Sequence, residues 1–114
     1  MDDFQRSTLA KPIDPAYYDL LVAEGLKVPA AVFKSGFAGL MQADFRDELE
    51  KIKVPVVIFW GDRDSMCSLE DEQQLLRGLP HAKFMIYENT GHALHWEEPN
   101  RFANDLSSFI NSTR

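Results

Sequence analysis

Polar and apolar positions along the chain fall into two regimes, with the change near residue 54. Beyond it, VPVVIFW at residues 54–60 is an unbroken β-branched and aromatic run closed by Gly61. Such a run predicts a strand buried on both faces, as in a parallel sheet covered by helices on each side. Pro55 has no N–H for a ladder and belongs at the strand's start. Ser68 with Asp71 three residues on is a helix-start pattern. Leu69, Leu75 and Leu76 follow it, and Gly78 and Pro80 close the helix. KFMIYE at residues 83–88 predicts a second short strand. Pro99 then opens a helix whose Phe102, Ala103, Leu106, Phe109 and Ile110 recur at helical spacing.

Before residue 54 the pattern is helical. Residues 1–13 read as loop. Asp14 and Pro15 look like an N-cap and first helical residue, with Tyr17, Tyr18, Leu21 and Val22 as the apolar face and Gly25 as the stop. Pro29 opens another helix with a stripe at Phe33, Phe37, Leu40 and Met41. Gly36 and Gly39 weaken that helix, which suggests that something packs closely there. Residues 44–53 form a charged connector anchored inward by Leu49 and Ile52. This divides the chain into a helical segment, residues 1–45, and a strand–helix–strand–helix core, residues 46–114.

That core is one right-handed βα crossover followed by a covering helix, an α/β architecture. Two parallel strands leave both sheet edges unpaired, and two helices do not cover both faces of so apolar a strand. The expectation is therefore the end of a larger sheet.

Bulk properties narrow the setting. At 114 residues the chain has the size of one small domain, which buries roughly 65% of its unfolded surface. Its net charge of −6, without a lysine- or arginine-rich run, opposes nucleic acid or an anionic membrane as partner. Cys67 is the only cysteine, so no internal disulfide forms. The start, MDDF, lacks the basic and apolar regions of a secretory signal, and no run is long enough to span a bilayer. A cytoplasmic protein is expected.

The chemistry-bearing residues follow the two strands. In open α/β sheets functional groups gather past the carboxyl ends of strands. The first strand runs into WGDRDSMC, which holds Asp62 and Asp64; the second runs into ENTGHALHW, which holds His92. Parallel neighbours put both loops on one rim, where a carboxylate can meet the imidazole. A neutral imidazole takes a proton from a nucleophile and returns it to a leaving group, while a carboxylate fixes its tautomer.

IKVPVVIFWGDRD followed by GHALHWEEP resembles the C-terminal half of an α/β-hydrolase-fold enzyme. The resemblance implies that the G-x-x-D loop at residues 61–64 carries the acid, Asp64. It implies that G-H-x-x-x-x-E-x-P, matched by Gly91, His92, Glu97 and Pro99, carries the base, His92. EGLKVPAAVFKSGFAGLMQADF resembles the lid that such enzymes insert before the acid loop. The family's nucleophile sits in a G-x-S-x-G turn, a pattern this sequence does not contain; KSGFAG has the wrong spacing.

Other residues have plainer readings beside functional ones. Asp62 competes for the acid's role but occupies the loop's variable second position. His95 can be drawn as a metal partner of His92 with Asp62 and Asp64, yet no third cluster with ligand spacing appears. His81 reads as a surface turn residue, Cys67 and Met66 as packing, and Trp60 and Trp96 as core or rim aromatics. Asp44, Asp47, Glu48 and Glu50 read as a solvated face. The expectation is the acid–base part of a hydrolase triad acting on a small ester-like substrate, inactive alone, with no cofactor or metal. Its partner would be an N-terminal half bearing the nucleophile, or a second copy. The rival is a non-catalytic binding or self-associating module of the same fold.

Overall fold

The computed structural model describes residues 1–114. Three helices come first: α1 Asp2–Ser7, α2 Pro15–Leu26 and α3 Ala30–Gln42. A 3₁₀ turn at Arg46–Lys51 leads into β1 Val57–Gly61, α4 Leu69–Gly78, β2 Lys83–Tyr87, α5 Leu94–Glu97 and α6 Pro99–Ser112. The strands pair in parallel, from Val57 opposite Lys83 to Gly61 opposite Tyr87. None of the helices is long and apolar enough to cross a membrane.

Local chemistry sets the boundaries. Asp14 caps α2 by accepting from Tyr17 N at 2.9 Å, with Pro15 in the first turn. Ser68 and Asp71 form a reciprocal capping box on α4. Pro29 is the N-cap of α3 rather than its first residue, and α2 runs one residue past Gly25.

Residues 1–13 are not all loop. Residues 2–7 are helical because Asp2 and Asp3 complement the positive helix start, while Arg6 sits in the last turn and pairs back with Asp2. Tertiary contacts then hold the helix. Phe4 meets Phe37 edge-on at 5.7 Å and Phe33 at 6.5 Å, and Tyr18 Oη donates to Asp2 Oδ1 at 2.6 Å.

The sheet carries aromatics on both faces. On one, Phe59 packs against Phe102 of α6 at 5.1 Å and Tyr87 at 6.0 Å. Tyr87 is fully buried; its hydroxyl donates to Asp105 Oδ2 at 2.6 Å, and the Arg101 guanidinium stacks over its ring. On the other, Trp60 lies beside Phe84 and donates from Nε1 to the Cys67 carbonyl at 3.0 Å. β1 is buried only at its carboxyl end, Trp60 and Gly61, while residues 57–59 are half-buried. The expected burial of both faces is thus met at the end nearest the loops. With one partner strand and one open edge, the rest of β1 has too few neighbours.

Several inward anchors point outward instead. Phe37, Leu40 and Met41 are exposed, so of the α3 stripe only Phe33 is half-buried, with the Phe37 ring stacked beside it. Ile52 and Leu69 are also exposed, whereas Leu49 packs against Gly78 of α4. Gly36 and Gly39 face open space: a methyl added at either would have no neighbour within 4 Å, contrary to the close packing expected there. Within this chain their only effect is to weaken the helix. Gly36→Ala and Gly39→Ala should each raise stability, by up to about 1 kcal/mol, read from denaturant unfolding. A loss of stability would instead reveal a close neighbour on that face.

Candidate active site

The acid loop is built by its own side chain. Asp64 follows the last residue of β1 by three positions, and its amide donates to Gly61 O at 3.0 Å. Its Oδ1 accepts from Met66 N at 2.7 Å and from Cys67 N at 3.0 Å. Two amides on one oxygen fix the carboxylate and leave Oδ2 for another donor.

The histidine loop leaves β2 through Asn89, the one non-glycine residue with positive φ (53°), a conformation that asparagine tolerates. Thr90 is fully buried and donates from Oγ1 to Glu88 O at 2.9 Å. The loop then turns across the end of β1. A methyl on Gly61 would lie 2.2 Å from Thr90 O and 2.4 Å from Gly91 O, so only glycine allows this crossing. Arg63 N donates to Thr90 O at 2.9 Å and locks the loops together.

This crossing brings the two proposed chemical groups into contact. His92 Nδ1 lies 2.8 Å from Asp64 Oδ2, across 28 positions of sequence. The Asp64 side chain is 5% exposed and the His92 side chain 42% exposed. The carboxylate is therefore buried behind an imidazole that stays open to solvent. Nε2 makes no hydrogen bond within the chain and remains free for proton transfer.

Glu97 has a defined structural task. Its Oε1 accepts from Gly91 N at 3.0 Å and from Ala10 N at 2.8 Å. Thr8 O accepts from Ala93 N at 3.0 Å, and Lys11 pairs with Glu98. Ser65 Oγ donates to Ser7 O at 2.8 Å, tying the acid loop to the same segment. Residues 7–11, which no sequence pattern singles out, thus brace both loops.

The alternatives fall elsewhere. Asp62 is exposed, and its carboxylate makes no hydrogen bond. His95 packs among Trp96 and Phe102, away from Asp62 and Asp64 as ligands, and partial burial followed by the His92 charge holds its pKa below the usual value. His81 sits exposed in a turn, with Nε2 3.0 Å from Val54 O. Met66 is exposed. In the acidic face, Asp44 pairs with Arg46, which lowers its pKa to about 2, and Glu48 pairs with Lys51. Cys67 is half-buried; burial, then the charges of Asp64, Glu72 and Asp71, push its thiol pKa up, which opposes a role as nucleophile.

Sequence reasoning passed over Glu72. It is 7% exposed, and its Oε2 has no partner. Its position carries a signal: Leu69, Glu72, Leu75 and Leu76 follow helical spacing, which puts a charge on the apolar stripe of α4.

The architecture is that of the α/β-hydrolase fold. An esterase from Exiguobacterium antarcticum superposes with a TM-score of 0.89 at 21% identity, covering 96% of this chain and 41% of that one. The family described as serine aminopeptidase, S33, matches residues 15–100, and this chain belongs to it. A 2-hydroxy-6-oxononadienedioate/2-hydroxy-6-oxononatrienedioate hydrolase from Paraburkholderia phymatum is 34% identical over 67 residues, 59% of this chain and 23% of the relative. The AB hydrolase superfamily protein YisY of Bacillus subtilis is 33% identical over 78 residues, 68% of this chain and 29% of the relative. The chain thus spans about a quarter of the length of these curated relatives.

Burial, then the charges of Asp64 and Asp71, raise the Glu72 pKa above the usual 4.5. The folded state therefore holds this proton more tightly than the unfolded chain. The stability that follows is complete below pH 4.5 and is lost as pH rises through the folded pKa. Glu72→Gln, which cannot ionise, should match the wild type near pH 4 and exceed it progressively toward pH 8. Thermal unfolding across that range checks this, and parallel curves would show that Glu72 is not the group responsible.

Proposed function

We propose that this chain supplies the acid and base of a nucleophile–histidine–aspartate triad that hydrolyses a small ester-like substrate. The 2.8 Å contact between His92 Nδ1 and Asp64 Oδ2 carries the reading. With Nδ1 engaged on the carboxylate, the neutral ring keeps its proton there and offers the Nε2 lone pair to a hydroxyl. His92 accepts the nucleophile's proton as it attacks the carbonyl carbon. Asp64 stabilises the imidazolium, which then protonates the leaving group.

The nucleophile and oxyanion donors come from outside residues 1–114, from a section carrying a G-x-S-x-G turn. Where the nucleophile is a carboxylate, His92 instead activates the water that attacks the ester intermediate. Residues 1–45 act as the cap and residues 46–114 as the core. The hydrolase and esterase names among the relatives support the hydrolytic direction. A second reading, association without catalysis, draws on the two-stranded sheet with both outer edges open and on exposed Leu40, Met41 and Val54.

Alone, the chain should hydrolyse p-nitrophenyl acetate no faster than free imidazole does, because no positioned nucleophile or oxyanion hole accompanies the base. Fused to an N-terminal section bearing the nucleophile, it should gain activity. In that fusion Asp64→Asn should lower kcat by roughly 10⁴, the loss seen for the same change in a serine protease, with KM little altered. Asp62→Asn should do far less. Steady-state kinetics decides: greater damage from Asp62→Asn would transfer the acid's role, and indifference to both would remove it from this loop.

A further inference from the structure

The rim that holds the acid–base pair also gathers a third kind of ligand atom. A carboxylate oxygen of Asp64, Sγ of Cys67 and a ring nitrogen of His92 all lie within 4.8 Å of one another. We propose that Asp64, Cys67 and His92 form a binding site for a thiophilic divalent cation, zinc above all, and that a bound ion locks His92 out of service as a base.

The donor set fits the ion. Thiolate, imidazole and carboxylate are the side chains zinc takes, at about 2.0–2.3 Å each, in a tetrahedral arrangement. Ligand atoms around such an ion stand roughly 3.3–3.8 Å apart, so a side of the triangle at the 4.8 Å limit closes by about 1 Å. Asp64 Oδ2 and His92 Nδ1, hydrogen-bonded at 2.8 Å, part by roughly 0.5–1 Å to admit the ion. An independent observation points the same way. Glu72, buried on the first turn of α4, has an unpartnered Oε2; its charge acts on Cys67, and the charges of Asp64 and His92 act on it. An acidic surrounding that disfavours a free thiolate favours one bound to a cation; Glu72 supplies a balancing charge outside the ligand triangle, and solvent water takes the fourth position.

The proton count is simple. Neutral His92, bonded to Asp64, carries its single proton on Nδ1. When zinc takes Nδ1, that proton moves to Nε2, and the Cys67 thiol releases one proton to solvent. One proton leaves per ion bound. Nε2 is then a donor and no longer accepts a proton from a nucleophile. Binding stands apart from the function proposed above; only the loss of base capacity rests on it.

The test uses the reduced 114-residue chain. It should bind one cobalt(II), the spectroscopic substitute for zinc, with a thiolate-to-metal charge-transfer absorption. Zinc chloride titrated by calorimetry in two buffers should release one proton. In the wild-type chain, ¹⁵N spectra should show His92 Nδ1 metal-bound and the proton on Nε2, a readout that needs no variant. Cys67→Ser should abolish the absorption and weaken binding at least on the order of tenfold, the loss typical even of a ligand's supporting partner. His81→Ala and His95→Ala should leave both unchanged. Binding without the thiolate absorption, unmoved His92 nitrogens, or affinity that survives Cys67→Ser overturns the site. In the fused enzyme, zinc should inhibit and a chelator should restore activity. Zinc bound at these residues with full activity retained would overturn the switch, whereas the acid–base reading is judged separately by Asp64→Asn.

Discussion

Everything at the rim depends on two backbones passing closer than a side chain permits. The carbonyls of Thr90 and Gly91 occupy the space where any residue but glycine at position 61 would put its Cβ. Because β1 and β2 are parallel and paired up to Gly61 opposite Tyr87, their loops emerge side by side. The missing methyl lets them cross rather than diverge. The crossing converts a long sequence separation into a hydrogen bond between Asp64 and His92. Loop-closure entropy is thereby met by the sheet and not by the site, so Asp64 and His92 need little freezing of their own.

Around that crossing, polar groups are used with economy. Each carboxylate oxygen of Asp64 has its own task, one holding the turn and one meeting the imidazole. Glu97 holds the His92 loop with a single oxygen, which accepts two amides from distant parts of the chain. Both loops are organised around carboxylates that gather backbone amides. Glu72 and Glu97 each keep one buried carboxylate oxygen without a partner.

What the sequence made legible was chemistry acting over a few residues. Asp14 before Pro15, Ser68 with Asp71, and the apolar runs ahead of Gly61 and Glu88 each state a local preference that the structure keeps. The meeting of Asp64 and His92 was legible for a related reason: each lies just past a strand, and parallel pairing leaves little choice about where such loops go. Burial was harder to read. Leu40, Met41 and Ile52 sit where a helical or connector pattern expects an inward face, yet they are exposed, because spacing names a face without naming what covers it. Residues 2–7 were missed for the opposite reason: one short turn of helix has almost no periodicity, and Phe4 against α3 is a contact between distant segments.

The brace at residues 7–11 has a mechanical meaning. Thr8 and Ala10 hold the base loop, Ser7 holds the acid loop, and α2 begins only a few residues further on. The helical half of the chain is therefore geared to the Asp64–His92 bond by direct linkage, without passing through the sheet. A tilt of α2 pulls on the amide and carbonyl that set the height of the imidazole. The alignment of a side-chain contact only 2.8 Å long is thus a readout of where the helices stand.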